Sequence, residues 1–393
     1  MGYGRRAFLE LAGASVAVAS VPTTVSAAQP DYRTVRVPTD QPTVQAGVDA
    51  AGEGDLVLVE PGTYEEAVAV TTPGVTLRGE DRNAVVLDGG FERTNGVDVD
   101  ADGVAVENLT VRRFQANGVY WAEVEGFRGS YLTAYNNGDY GVYATHSRDG
   151  RFEACYASGH PDAGFYLGRS QPFVALVTDC VAERNSWGYS GTSAGGDLTV
   201  RDSTFRANQA GIVPNTLDTQ APPEQGTRIA NNEVVDNDNE DAPTKQFTYP
   251  AFGTGILLWG GSGNLVQGNR VRGHANFGVA AAKNVVVPSG NLVTGNTVSG
   301  SGVADLALAV PTGTGNEFSD NEFATALPSG IEQDASLGSA VVANVFDEQR
   351  AAARDGNLVA GDWRTQPEPE RQESMADPGR APAPASKDGS VME

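Results

Sequence analysis

Lysine is nearly missing from this chain of 393 residues: Lys245, Lys283 and Lys387 are the only three among 27 cationic side chains. Acidic residues number 50, so the net charge is −23. A surface this negative repels phosphate backbones and anionic headgroups, which excludes nucleic acid and an anionic membrane as partners. An acidic, lysine-poor surface also stays hydrated in concentrated salt, and we read a halophilic protein from it. Cysteine is nearly absent too, with Cys155 and Cys180 alone, which excludes a small disulfide-stapled scaffold. The three histidines are dispersed and make no zinc-type spacing. There is no Gly-rich phosphate loop, no Ser-His-Asp order and no apolar run of membrane-spanning length.

The two ends differ in composition from the middle. Arg5-Arg6, followed by Phe8, Leu9 and a short Ala/Val-rich run with small residues at Ala27 and Ala28, reads as a twin-arginine export signal over residues 1–28. No cysteine stands near the cleavage site for a lipid anchor. The expected location is extracellular or at the cell surface, reached by a chain exported already folded. Residues 347–393 are dominated by Pro, Ala and charge, and a disordered tail is expected there. Residues 34–345 remain as the folded domain.

That middle is rich in glycine and repeats itself. A glycine followed by an apolar residue recurs at Gly118, Gly141, Gly164, Gly188, Gly211, Gly255, Gly278 and Gly330. The steps are 23, 23, 24, 23, 44, 23 and 52 residues, the two long ones near twice the unit. A second column runs Leu109, Leu132, Cys155, Cys180, Ser203, Asn232, Asn269, Asn296, Asn321, each inside a short alternating apolar run. Units of this length cannot bury an inner face alone and must stack, one triangular coil of strands per repeat, about 4.8 Å apart. The successive asparagines then form a ladder, each amide bonding the next. Cys155 and Cys180 fall on adjacent coils, within reach of a disulfide or packed as two small apolar side chains.

Upstream of the repeats stand QPTVQAGVDAAGEGDLVLVEPGTYEEAVAV and GVTLRGED. A Thr-capped amphipathic helix on Val44, Val48 and Ala51, then an apolar strand and PGTY, precede the first coils. With the coil repeat, this resembles the pectin-lyase-like right-handed parallel β-helix superfamily, over about 300 residues. The resemblance implies an all-β, single-stranded right-handed parallel β-helix with an N-terminal helix cap, and expects a monomer. It leaves activity open among lyases, hydrolases, epimerases, copper-maturation proteins and binding proteins. Copper handling finds no ligands, since Met-rich segments are absent and the histidines are scattered.

Two histidines share the form G-H-x-x-x-G, His160 before Gly164 and His274 before Gly278. They lie four coils apart, roughly 19 Å, too far to share a metal ion. Their common motif is a rung position first. Around His160 more gathers: Asp139 and Asp162, each two residues before a glycine, belong to adjacent coils. Two carboxylates so placed share a proton or hold a cation such as calcium. Arg184 takes the position of His160 one coil further. Tyr120, Tyr143 and Tyr166 alternate outward, a column suited to stacking on sugar rings. The set could bind a polysaccharide or cell-surface glycan and cleave or epimerise it. Arg184 or a cation would neutralise a uronate carboxylate. His160 or a tyrosine would take the C5 proton, and Tyr166 or Asp162 would protonate the leaving oxygen. Lyase chemistry ranks before hydrolase chemistry, and His160→Ala is expected to abolish turnover with the fold intact. A non-catalytic binding solenoid is the alternative. The long turn between Asn232 and Gly255 carries Lys245 and Tyr249, and the turn before it carries Asn215 and Asp218. With His274 they complete the candidate substrate contacts. D-x-D-x-D-G at 98–103 opens like a calcium loop but places Leu109 where the closing Glu belongs.

Overall fold

The computed structural model describes residues 32–392. The twin-arginine segment 1–28 lies outside the described residues. From Thr34 to Leu327 the chain winds as a parallel β-solenoid whose strands fall into three sheets of twelve, ten and eleven strands, visited in that order on each turn. Every neighbouring pair is parallel and in register, so Val119 lies beside Val142 and Val142 beside Phe165. The alternating apolar residues of all three sheets point to one axis. Val97, Val119, Trp121, Phe127, Phe152 and Phe165 are among the wholly buried side chains there. Helix α1 (Val44–Ala50) lies against the first coils with Val44 and Val48 buried, and the Thr43 side chain accepts from the Ala46 N–H.

Each corner of the triangle carries an inward polar ladder. At the first, Ser203 N donates to Asn232 Oδ1, Asn232 to Asn269, Asn269 to Asn296 and Asn296 to Asn321, in links of 2.9–3.1 Å. This is the ladder expected from the second repeat column. A residue in the left-handed region precedes it on successive coils, among them Asn108, Tyr131, Asp179 and Asn231 at φ 52–55°, and sets the sharp bend. The ladder at the third corner runs Thr227, Asn264, Asn291, Asn316.

The second corner explains the glycine column. Its rungs are Asn137, His160, Asn185, Asn208, Asn237 and His274: His160 N donates to Asn185 Oδ1 (3.0 Å), Asn185 to Asn208, Asn208 to Asn237, and Asn237 N to His274 Nδ1 (3.1 Å). A Cβ placed on each repeat glycine would meet the rung of the next coil. On Gly141 it would lie 2.7 Å from His160 Nε2, and on Gly255 2.5 Å from His274 Nε2. The glycines are there to let the ladder stack. Gly255→Ala also meets Gly278 O at 2.6 Å, so it is expected to destabilise by about 3 kcal/mol. A urea midpoint unchanged from wild type would contradict this.

Gly330 is not part of the column. The last strand pair sets Leu306 and Ala307 against Ala326 and Leu327, and Gly330 follows it in a turn. Both cysteines are buried free thiols at the first corner, so the disulfide alternative gives way to two small packed side chains.

Residues beyond 345 differ most from expectation. Helix α2 (Ala340–Arg354) lays Val342 and Phe346 on the outer side of the third sheet, where Phe346 meets Phe277 at 5.3 Å. The chain then runs back along the first corner. Arg78 Nη1 donates to Pro378 O (2.9 Å), Arg82 Nη1 to Glu373 O (3.0 Å), Arg128 Nη1 to Ala383 O (2.9 Å) and Arg151 Nη1 to Lys387 O (3.0 Å). Composition foretold a disordered tail. Instead its backbone carbonyls satisfy a row of buried arginines that no periodicity in the tail itself reveals. Among the described residues no helix is long and apolar enough to cross a membrane.

Candidate functional site

With α2 and the tail in place, one stretch of the third sheet's outer face is left partly open. Tyr120 and Tyr143 stand there half-buried, stacked at 4.8 Å and 9°. Tyr140 stacks on Tyr143 at 4.5 Å, and Tyr166 meets Tyr143 edge-on at 4.6 Å. Alternation along the strands produces this, because Val119, Val142 and Phe165 take the inward positions. Tyr166 points outward as expected but is covered, only 3% exposed.

Beside the tyrosines the two carboxylates of adjacent coils come together. Asp162 N donates to Asp139 O (3.1 Å), which fixes the coils' register. The long turn after Asn232 brings Lys245 in: its Nζ pairs with Asp139 Oδ1 and lies 3.6 Å from Asp162 Oδ2. The turn is held by its own polar groups. Lys245 N donates to Pro161 O (2.9 Å), Trp187 Nε1 to Thr248 O (3.0 Å), and Ser186 Oγ to Thr248 Oγ1 (2.7 Å). Tyr249 stacks within the turn on Phe252.

Burial sets the electrostatics. It pushes Asp162 up to about 7, against the neighbouring Tyr140 hydroxyl, which favours the charged form, and pulls Lys245 down to about 8. Burial, with the Asp162 charge adding to it, raises Tyr140 well above the ordinary tyrosine range. A carboxyl and an amine that both titrate near neutrality, beside a hydrogen-bonded phenol, can store and move a proton. The ammonium stands between Asp139 and Asp162, in the place a cation held by that pair would take. Among the described residues no three His, Cys, Asp or Glu side chains converge to hold a metal. Val97 and Val99 are buried and Asp98 half-buried, so the stretch expected to open a calcium loop is an alternating strand.

A family model described as the right-handed β-helix region matches residues 91–240 and 215–346. The chain belongs to this family. Among solved structures, an alginate lyase from Paenibacillus sp. str. FPU-7 matches at a TM-score of 0.50 and 14% identity, over 75% of this chain and 99% of that one. The Dettilon tailspike protein matches at 0.50 and 13%, over 75% and 67%. The A-module of an Azotobacter vinelandii mannuronan C-5 epimerase matches at 0.49 and 16%, over 71% and 90%. At these identities the likeness is one of fold. No curated protein matches the chain.

The other residues proposed from sequence fall elsewhere on this β-helix. His160 is a buried rung with Nδ1 3.2 Å from Asn137 O and Nε2 3.2 Å from Ala134 O, so it is no free base. His274 is likewise a rung and touches no open surface. Arg184 misses the His160 position by one residue, because the rung stands four residues before Gly164 but three before Gly188, where Asn185 takes it. Arg184 pairs with Glu183 and reaches Tyr156 Oη (3.2 Å) on the second sheet. Asn215 is buried and donates to Ser190 Oγ (3.2 Å), while Asp218 pairs with Arg169 at 3.0 Å. One member was not foreseen: Tyr140. The residue before each repeat glycine forms an outward column of its own, Tyr140, Ala163, Trp187, Ala210, which is the signal that would have found Tyr140.

The buried histidines carry a prediction. Burial pulls both down to about 4, against carbonyls that favour the charged ring. Between pH 4 and 6.5 the unfolded chain therefore binds more protons, so their stabilisation is complete above 6.5 and lost as pH falls towards 4. The loss is ~3 kcal/mol per ring. Because buried Asp162 and Glu224, both raised to about 7, act in the opposite direction, the readout is a difference. The gap in unfolding free energy between His160→Asn and wild type should shift in favour of the variant from pH 7 to pH 4.5. A gap independent of pH would count against the rung.

Proposed function

We propose that the protein is an exported β-helix that binds a polysaccharide along Tyr120, Tyr143 and Tyr140 and modifies it at Asp139, Lys245 and Asp162. The observation that carries this reading is the Lys245 ammonium held between two carboxylates beside an open tyrosine stack. Flat phenol faces suit sugar rings. Lys245 would face a uronate carboxylate, and Tyr140, backed by Asp162, would move the proton at the reacting carbon or oxygen. Elimination or epimerisation ranks before hydrolysis, because Asp162 is buried and Lys245 separates the two carboxylates a glycosidase would turn on one bond. The family contains both binding and catalytic proteins, and the mutual packing of Tyr140, Tyr143 and Tyr166 favours a second reading as a binding solenoid without turnover. Extracellular or surface location, high-salt habitat and a monomeric state belong to the same proposal and rest on the sequence.

Incubation of the protein in high salt with a polysaccharide panel, read by mass spectrometry, tests it. Unsaturated oligosaccharides or changed uronate stereochemistry are expected. Water-added products would replace lyase chemistry with hydrolysis, retention without products would leave the binding solenoid, and neither retention nor products would end the polysaccharide reading.

A further inference from the structure

A cavity of about 410 Å³ opens on the same outer face, between α2, the turn that carries Lys245 and the turn after Asn215. That volume is in the range of small-ligand pockets. Leu217, Phe247 and Pro250 supply its apolar wall, and Trp259, Arg350 and Arg354 also line it. Phe247 is 47% exposed, a large apolar ring left uncovered. Trp259 is 3% exposed, and its Nε1–H has no acceptor among the described residues. Its neighbour Trp187 shows the ordinary arrangement, donating to a backbone carbonyl. A buried N–H without an acceptor costs roughly 1–3 kcal/mol. The Arg350 guanidinium lies 6.0 Å from the Trp259 ring centroid and is paired with Asp347 (3.1 Å). Arg354 is exposed in the last turn of α2 and has no carboxylate within ion-pair distance among the described residues.

We infer that this cavity binds a sugar-sized ring bearing one carboxylate, a hexuronate. Arg354, with Arg350 beside it, takes the carboxylate as a planar fork. Phe247 and Leu217 pack on the apolar ring face. In a chain of net charge −23, two arginines on one cavity are what admits an anion there. Phe247 joins the cavity to the tyrosine site, because Lys245 Nζ lies 5.8 Å from its ring centroid and 5.9 Å from that of Tyr140. The sugar class of the ligand rests on the polysaccharide reading; the carboxylate selectivity rests on the arginines alone.

Calorimetric titration of the full chain with glucuronate, galacturonate, glucose and a uronate oligomer tests this. A hexuronate should bind at least tenfold tighter than glucose. Arg354→Gln, an exposed change that spares the fold, should remove that preference. Saturation by the free acids assigns a site for free hexuronate, and saturation by oligomers alone assigns one for a chain end; either supports the pocket. Lys245→Met separates the two sites: it should lower polymer retention and leave in place the Arg354-dependent preference for hexuronate over glucose. Measurable binding of hexuronate and glucose with equal affinity, no saturation by any acid or oligomer, or an Arg354→Gln variant that keeps the preference overturns the pocket while leaving the polysaccharide reading to its own test.

Discussion

Glu107→Gln is expected to lower stability by about 3–5 kcal/mol and to expose the C-terminal segment to protease. Glu107 is wholly buried on the outer side of the first sheet between Arg78 Nε at 2.7 Å and Arg128 Nη2 at 2.6 Å, both arginines also fully buried. Burial works against its charge, but the two guanidiniums win and hold it below the ordinary carboxylate range. Taking that charge away leaves two buried cations with only the tail's carbonyls, from Pro378, Arg380 and Ala383, to face them. The arginines are then best served by water, and the tail must lift to admit it. Limited proteolysis and urea unfolding read both effects. A variant within 1 kcal/mol of wild type, its tail still protected, would mean the ion triad is not what seats the tail.

Lys245→Met should reduce turnover on the preferred polysaccharide by roughly 100-fold or more. The methionine keeps the length of the side chain and removes the ammonium that joins Asp139 to Asp162. Without it the two carboxylates repel, which favours the protonated form of Asp162. Wild-type activity should show limbs near pH 7 and pH 8, set by the directions in which burial moves Asp162 and Lys245. The upper limb should vanish in the variant. Full turnover in Lys245→Met would transfer the chemistry to another part of the molecule.

How much of this was legible in the sequence depends on how local the cause is. The coil repeat and the first asparagine ladder could be read directly, since stacking demands the same residue type at one spacing. The pairing of Asp139 with Asp162 followed from the same register. The role of the histidines did not. His160 and His274 occupy rungs otherwise held by Asn137, Asn185, Asn208 and Asn237, and the spacing from rung to glycine, four residues at His160 but three at Asn185 and Asn208, hid that column by setting Arg184 in the apparent register. Lys245 was singled out for its rarity, but its reach to both carboxylates depends on how a long turn folds, which no periodicity encodes. The tail escaped for a related reason. Its order comes from buried arginines some 230–300 residues earlier, so its own composition still reads as disorder.

The most direct measurement is retention on a polysaccharide column in high salt, with His160→Asn and Lys245→Met run beside the wild type. His160 belongs to the ladder and Lys245 to the site, so the asparagine variant should be retained like the wild type and the methionine variant should pass through. Loss of retention in a folded His160→Asn protein, with Lys245→Met unaffected, would contradict the assignment of the site.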